Sequence, residues 1–347
     1  MPTLNRNEFV EALLTVMPGV AKKDILPLFT QVVLSDDCLI SYNDEIMIRS
    51  PFKTGVNCSV PASRLAAILN KFSSEEVAVD LTSDGTLTLQ SVGKSIARAS
   101  IKTTALEQSI LDMIKSSEIA SITEWEKLPG NFLEGLDLCL ISTSKEMFGE
   151  WMSGVSVVGD NLASSDDFRV SLFALDSPMD LNATISAEAA TAMKLLAPTH
   201  FAVRGSWLHT CNKDNAFLGS RLISAVAPLD EVNKIISAPG TAIKLPEKLL
   251  DQIEVAEVLS EGDSVYDQSI KLSIANGKFI CRGEIAEVGW AEGEAFGEYG
   301  GPPVVIKISP KFLKEIIKHS YNMILTERSA IFVLENGFKH SISLFLE

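Results

Sequence analysis

The sequence predicts an α+β protein made of three similar domains, in which strands outnumber helices. Three observations indicate this class. One pattern recurs three times along the 347 residues. Most segments outside the helical patterns alternate apolar and polar residues with the two-residue period of strands. The balance of 46% hydrophobic and 22% charged residues is typical of globular chains, and a chain this long is expected to divide into domains.

Each copy of the repeat contains a strand that ends at Ser or Pro and runs into an amphipathic helix, as helix N-termini prefer. The copies, aligned at Val60, Ile185 and Ile308, read VNCSVPASRLAAILNKF (56–72), LNATISAEAATAMKLLAP (181–198) and VVIKISPKFLKEIIKHS (304–320). A further helix opens each copy, over residues 7–17, 131–142 and 247–259, and alternating runs complete it. We therefore expect domains at 1–125, 126–238 and 239–347, each with two helices packed on antiparallel sheets.

One segment departs from this pattern. Residues 283–303 read GEIAEVGWAEGEAFGEYGGPP and combine several glycines with several glutamates. A bound phosphate would be repelled by the glutamates, so the glycines do not indicate a phosphate cradle. The expectation is a solvated acidic loop between two strands.

The sequence offers little for catalysis. It contains no HExxH, P-loop or GxSxG motif, and its five cysteines lie far apart without the spacing of zinc ligands. The four histidines are scattered, and the pair Asp166-Asp167 reads as turn chemistry. We expect no catalytic residue, no metal and no cofactor. No apolar stretch is long enough for a membrane span and no secretory signal is present, which favours a cytoplasmic location, in a bacterial or an infected host cell.

The position of the basic residues is more informative than the net charge of −15. A uniformly acidic surface would repel nucleic acid. Lys22 and Lys23 are adjacent in a loop, and the seven-residue spacing of Arg64 and Lys71 places both on one helix face. The corresponding helices of the other copies carry Lys194, Lys311, Lys314 and Lys318. Either these helices form a basic inner surface on an acidic body, or they are ordinary solvated faces.

The order of several short segments resembles the bacterial DNA sliding clamp, the β subunit of DNA polymerase III, or a phage-encoded relative. The similar segments are VMPGVAKKDILPLFTQVVL and VPASRLAAIL in the first copy, MSGVSVVGDNLASSDDFRVSLF and SRLISAVAPLDEVNKII in the second, and EVAEVLSEG and PPVVIKISPKFLKEII in the third. Together they span nearly the whole chain.

This resemblance implies a head-to-tail homodimer whose six domains form a ring around duplex DNA. Such a ring is a processivity factor without enzymatic activity, and it tethers the polymerase and receives the clamp loader through short apolar peptide motifs. Sparse lysines agree with sequence-independent sliding, because dense phosphate contacts would bind DNA tightly. The alternative is a clamp-fold scaffold that docks peptides without encircling DNA.

The resemblance also implies particular sites. Lys23 matches the family's basic loop residue, and Trp151 retains one half of a DNA-contacting aromatic pair whose other half is Glu150. The implied peptide pocket consists of Met152, Ser165, Phe168, Arg169, Val170 and Pro228, completed by Ile342, Leu344 and Leu346 of the last strand. Whether that face of the last strand or the opposite face with Phe345 lines the pocket is left open. The implied dimer contact places Val258 and Leu259 against Ile96, and packing inside the domain is an equal alternative for these residues.

Overall fold

The computed structural model describes residues 2–21, 27–104, 112, 122–144, 149–260, 262, 264 and 266–345. The chain divides into two compact units, Met1–Leu133 with Ile185–Ile223 and Glu134–Thr184 with Ser224–Glu347. The described helices are α1 (Arg6–Val16), α2 (Ala62–Lys71), α3 (Phe132–Leu140), α4 (Ala187–Leu196), α5 (Leu229–Ile236), α6 (Leu249–Glu257) and α7 (Pro310–Ile317). Large antiparallel sheets accompany them, so the predicted α+β class is confirmed.

The first unit contains two antiparallel sheets. The smaller has the order β1-β6-β7-β8, formed by Thr3–Asn5, Glu76–Leu81, Thr86–Val92 and Arg98–Lys102. The larger has the order β9-β14-β15-β16-β4-β3-β2-β5. Its strands are β2 (Gln31–Leu34), β3 (Cys38–Tyr42), β4 (Ile46–Pro51), β5 (Cys58–Pro61), β9 (Glu126–Lys127), β14 (His200–Arg204), β15 (Trp207–Cys211) and β16 (Phe217–Ile223).

The second unit repeats this plan. Its smaller sheet has the order β20-β19-β18-β21, formed by Gly289–Phe296, Lys278–Ile285, Ile270–Ala275 and Val304–Ile308. Its larger sheet has the order β17-β22-β23-β24-β12-β11-β10. Its strands are β10 (Gly154–Val158), β11 (Asn161–Ser165), β12 (Arg169–Ala174), β17 (Thr241–Lys244), β22 (Asn322–Leu325), β23 (Ser329–Val333) and β24 (Lys339–Ser343). Strand β13 (Asn182–Ser186) contains one of the boundaries between the units.

The larger sheets explain why there are two compact units although the sequence repeats three times. In the first unit β16 pairs with β4, and in the second unit β12 pairs with β24. Each pairing joins strands of two different repeats, so the middle repeat is shared between the units. The division into three domains therefore stays a prediction.

Each predicted helix is present in the structure, and the ends differ by a few residues. Helix α1 illustrates the cause: the Asn5 side chain caps it by accepting the N–H groups of Asn7 and Glu8 at 2.9 and 3.2 Å. Phe9, Leu13 and Val16 are buried along its inner face. Helix α5 was not among the predicted helices.

The acidic segment 283–303 is a correction. Residues Gly289–Phe296 form β20, which pairs with β19 over its whole length. Gly293 and Ala295 are buried whereas Glu292 and Glu294 are exposed or half-exposed. The segment therefore alternates small and acidic residues with the period of a strand, and the predicted solvated loop was wrong for these residues.

None of the described helices is long and apolar enough to cross a membrane. Cys38, Cys58, Cys139 and Cys281 are buried free thiols, and Cys211 is half-buried.

Candidate functional site

One face of the larger sheet in the second unit carries a cluster of apolar side chains, which we call the apolar cluster. Strands β11 and β12 provide part of it and helix α5 covers the rest. Its buried members are Ala163, Val170, Leu172, Ala227, Val232 and Ile236, against which the partly buried Trp151 and Leu229 pack. Pro228 is exposed and Met152 is half-buried beside these residues in the sequence. The cluster thus has apolar side chains open to solvent at its margin.

The local sequence explains this arrangement. On α5, Leu229, Val232 and Ile236 share one face because they lie three and seven positions apart. Acidic residues occupy the first turn of α5 and Lys234 its last turn, which complements the helix dipole. On β12, Val170 and Leu172 point to the cluster, and strand alternation turns Arg169 and Ser171 to the opposite face.

The turn between β11 and β12 is fixed by hydrogen bonds. The Ser165 hydroxyl donates to the carbonyl of Arg169 at 2.7 Å and accepts the N–H of Asp167 at 3.2 Å. The Asp166 carboxylate accepts the N–H groups of Phe168 and Arg169 at 3.2 and 2.8 Å. Asp167 has φ 69°, a left-handed conformation that Asp tolerates better than most residues. The carboxylate pair is turn chemistry, as predicted.

Arg169 points away from the apolar cluster and is 6% exposed. Its guanidinium donates to the Asp166 carboxylate at 2.8 and 3.0 Å, pairs with Glu315, and lies 3.9 Å above the ring centroid of Phe312. Phe168 stacks on Tyr266 with ring centroids 5.0 Å apart. Of the predicted pocket residues, Val170 is therefore a member of the cluster, whereas the guanidinium of Arg169 is engaged on the other face of the sheet.

The register of the last strand, β24, determines which of its two faces lies on the side of the cluster. In the register of β12 and β24, Val170 pairs with Ser341 and Arg169 pairs with Ile342. Directly opposed residues share a face, so Ser341 and, two residues on, Ser343 lie on the side of Val170. Ile342 is fully buried on the opposite side. In this register Ile342 lies on the face opposite Val170, and the pocket assignment of the last strand stays a prediction.

Beyond Ser343, the last strand is held by backbone contacts. Leu344 is half-buried and donates its N–H to the carbonyl of Arg328 at 2.9 Å. Phe345 donates its N–H to the carbonyl of Lys307 at 3.0 Å. Leu346 lies outside the described residues.

A polar network lies on the face of the sheet opposite the cluster. The Nδ1 atom of His340 is 2.9 Å from the Ser171 hydroxyl and 3.3 Å from the Ser142 hydroxyl. All three side chains have no exposed surface. Burial, together with the nearby charge of Arg169, lowers the pKa of His340 well below its ordinary value. A neutral, solvent-excluded histidine beside buried serines offers no substrate access.

The predicted DNA-contacting cations lie on the second helix of each repeat. Arg64 and Lys71 are exposed on α2, Lys194 is exposed on α4, and Lys318 is exposed just after α7. Lys311 is half-buried, and Lys314 forms an ion pair with Glu257 of α6. Lys22 and Lys23 lie outside the described residues.

The first helix of each repeat has the opposite charge. The exposed ionisable side chains are Glu8 and Glu11 on α1, Glu134 and Asp137 on α3, and Asp251 and Glu254 on α6. Arg6 of α1 is half-buried and donates to the carbonyl of Ser74 at 2.9 Å. Among the described helices, exposed cations lie on α2, α4, α5 (Lys234) and just after α7, and further exposed cations lie on strands and loops.

The predicted interface residues lie near two sheet edges. Ile96, which precedes edge strand β8, is 58% exposed, and Val258, which follows α6, is 76% exposed, whereas Leu259 is half-buried. Strand β8 carries Arg98 and Lys102, and edge strand β20 carries Glu292 and Glu294. The charged side chains of the two edge strands thus have opposite sign, although Glu294 and Glu292 also pair with Lys278 at 2.9 Å and Arg282 at 3.7 Å on the neighbouring β19.

Among the described residues, no group of three or more His, Cys, Asp and Glu side chains is placed to hold a metal ion.

No family model matches the sequence, and no curated protein matches it either. Solved structures do match. The β chain of DNA polymerase III from Streptococcus pneumoniae is 17% identical with a TM-score of 0.80, and 99% of each chain is covered. The chain has the DNA sliding-clamp fold. The sliding clamp from Bacillus subtilis is 18% identical with a TM-score of 0.78, covering 99% of this chain and 98% of that one. A clamp from Pseudomonas aeruginosa bound to griselimycin is 15% identical with a TM-score of 0.78 and covers 99% of both chains.

Within this sliding-clamp fold, sequence reasoning missed part of the apolar cluster. Helix α5 and its residues Leu229, Val232 and Ile236 were not assigned to the site, although their spacing in LDEVNKII is that of one helix face. Trp151, which the resemblance assigns to DNA contact, packs on the cluster, and its DNA contact stays a prediction. No local signal separates these roles for an aromatic residue in a short 3₁₀ helix.

Proposed function

We propose that this protein is a DNA sliding clamp: two copies joined head to tail encircle duplex DNA and tether a polymerase. The observation that carries the proposal is the structural match to sliding clamps over 99% of the chain. A clamp acts by topology, so the proposal requires no catalytic residue. It also places the protein with DNA replication in the cytoplasm, in a bacterial or an infected host cell.

In this proposal DNA meets the cations of α2, α4 and α7. Arg64, Lys71, Lys194 and Lys318 provide a small number of phosphate contacts, with Lys311 and Lys314 behind them, and Lys22 and Lys23 belong to the same set by resemblance. Few contacts to phosphate and none to base edges allow a ring to slide without sequence preference.

The apolar cluster is the proposed docking site for the polymerase and the clamp loader. A short segment with apolar anchors would cover the open sides of Trp151 and Leu229, whose sequence neighbours are Met152 and Pro228, and Phe168 lies two residues before Val170. Tryptophan is enriched among the residues that dominate binding energy, because it offers a large apolar surface at low entropic cost. Ser341 and Ser343 provide hydroxyl groups on the same face of the sheet.

The proposed ring closes where edge strand β8 of one copy meets edge strand β20 of the next. Exposed apolar side chains near these edges, Ile96 and Val258, would be buried in the contact. Arg98 and Lys102 on one edge face Glu292 and Glu294 on the other, so opposite charges favour this pairing over an edge pairing with itself.

The deciding experiment measures retention on circular DNA. The protein is loaded by its cognate loader, or by transient opening at low protein concentration, onto closed circular DNA and separated by gel filtration. We expect the protein to stay with the circle and to be lost after a restriction enzyme linearises it. Equal retention on circular and linear DNA would refute encirclement.

The second candidate is a clamp-fold scaffold that docks peptides without encircling DNA. The acidic faces of α1, α3 and α6 favour it, because they would repel phosphate. Charge reversal of Lys311 and Lys318 distinguishes the two functions. Loss of polymerase stimulation supports the clamp, and unchanged stimulation together with intact peptide binding supports the scaffold.

A further inference from the structure

Ion pairs connect helix α7 to the turn between β11 and β12, which leads into the apolar cluster. Arg169 is 6% exposed and Asp166 is fully buried. The guanidinium donates through Nε and Nη2 to one oxygen of Asp166, and through Nη1 to the carboxylate of Glu315 on α7. One side chain therefore joins the turn to a helix 146 residues further along the chain.

Aromatic rings provide a second connection between the same two elements. The Arg169 guanidinium lies 3.9 Å above the Phe312 ring of α7. Phe312 meets Tyr266 at 6.2 Å, and Tyr266 stacks on Phe168 at 5.0 Å. Phe168 and Arg169 are neighbours in sequence, so both side chains of the turn reach α7, one directly and one through Tyr266.

The chemistry of this arrangement requires arginine. A fully buried carboxylate needs a cation close to it, since an unpaired buried charge is costly. The planar guanidinium contacts two carboxylates and a ring face at once, which the single ammonium of lysine cannot reproduce. Because these donors are engaged inside the protein, Arg169 is not a direct ligand of a peptide on the opposite face of the sheet.

We propose that Arg169 is a positioning residue of the peptide site and that Glu315, which lies outside the apolar cluster, sets peptide affinity through it. The inference rests on the proposed docking role of the cluster. Arg169 is followed directly by Val170, whose side chain is in the cluster, and it is preceded by Phe168. Loosening the pair between Arg169 and Glu315 frees the turn, so that a bound peptide must order these two residues again.

The test compares Glu315→Gln with the matched control Glu335→Gln, an exposed glutamate of the turn between β23 and β24. The probe is a fluorescein-labelled, uncharged heptapeptide with neighbouring Leu and Phe anchors, measured by fluorescence polarisation on the full-length protein. We expect Glu315→Gln to weaken binding about fivefold and Arg169→Lys at least tenfold, with Glu335→Gln unchanged. The double variant should bind no more weakly than Arg169→Lys alone, because both changes break one pair.

Salt provides a readout that loss of folding alone would not give. The side chain of Glu315 is 34% exposed, so its pair with Arg169 is screened by added salt. Raising NaCl from about 0.05 to 0.5 M should weaken binding of the uncharged peptide to the wild type about threefold. The same change should leave the affinity of Glu315→Gln nearly constant.

Each outcome points to one conclusion. If the wild type binds the peptide and Glu315→Gln binds equally well, the positioning role is wrong and the docking role stands. If the wild type does not bind, or binds with no dependence on Trp151, the docking role itself fails. Should Arg169→Lys not fold, Glu315→Gln still decides, because it leaves the pair between Arg169 and Asp166 in place.

Discussion

Replacing Trp151 by alanine should weaken peptide binding by about 2–3 kcal/mol. Trp151 packs one side on the apolar cluster and is only partly buried, so part of its ring remains available to a ligand. If a peptide anchor covers about 60 Å² of that ring, the burial contributes about 1.5 kcal/mol at ~25 cal/mol per Å². An aromatic contact adds about 0.5–1.5 kcal/mol. The sum corresponds to a loss of affinity of roughly 30- to 150-fold.

The assay is isothermal titration of the same heptapeptide into wild type, Trp151→Ala and a control, Trp125→Ala. Trp125 is also half-buried, but it packs against Phe217 in the first unit, with ring centroids 5.7 Å apart. The control should bind like the wild type. Circular dichroism melting identifies any loss of folding in either variant. A folded Trp151→Ala protein that binds within twofold of the wild type would refute the assignment of the cluster as the peptide site.

Three further predictions concern the interface, the packing of β19 and a buried thiol. Arg98→Glu should raise the dimer dissociation constant more than tenfold at low salt, and the control Lys213→Glu should leave it unchanged. Sedimentation of both variants at several concentrations, by analytical ultracentrifugation, checks this. Gly283→Ala should destabilise the fold by about 3 kcal/mol in urea unfolding, because the added Cβ would overlap the carbonyl oxygen of Ala256 and lie 2.8 Å from that of Leu259. Gly300→Ala, where the added Cβ meets nothing within 4 Å, is its control. Burial raises the pKa of the Cys58 thiol from 9.0 to about 11, so the folded state holds this proton more tightly than the unfolded state. The free energy of unfolding that this protonated thiol contributes is fully present below pH 9 and is lost as the pH rises towards 11. Iodoacetamide mapping at pH 8 should label Cys58 far more slowly than the half-buried Cys211, and equal labelling would contradict the burial.

The repeat was predictable because each copy pairs a strand with an amphipathic helix, and both periods are visible in one sequence. Which strands pair across copies was not visible. The pairing of β16 with β4 joins residues of two repeats through backbone hydrogen bonds, and such bonds leave no pattern in side chains. The two compact units could not be anticipated for this reason.

The site shows the same limit at the scale of a single residue. The turn containing Asp166 was predicted from its residue types, and Val170 was identified from the resemblance to clamp segments. For the last strand the resemblance implied Ile342 and left the opposite face, with Phe345, as the alternative, and the partner of Ile342 across the strands is Arg169. With a two-residue period, an error of one position moves every side chain to the other face. The sequence does not show which strand pairs with the last strand, so the face that lies beside Val170 was not visible in it.

The distribution of charge on the helices bears on how such a chain could hold DNA at a net charge of −15. Exposed cations of the described helices lie on α2, α4, α5 and the end of α7, while α1, α3 and α6 present carboxylates. Lys314 is paired with Glu257, so α6 partly neutralises α7 within one helix pair. Each phosphate contact contributes about −0.9 to the slope of log affinity against log salt on duplex DNA. In the proposed clamp, where the cations of these helices meet DNA, a small number of phosphate contacts contributes little affinity, and residence on DNA comes from ring closure.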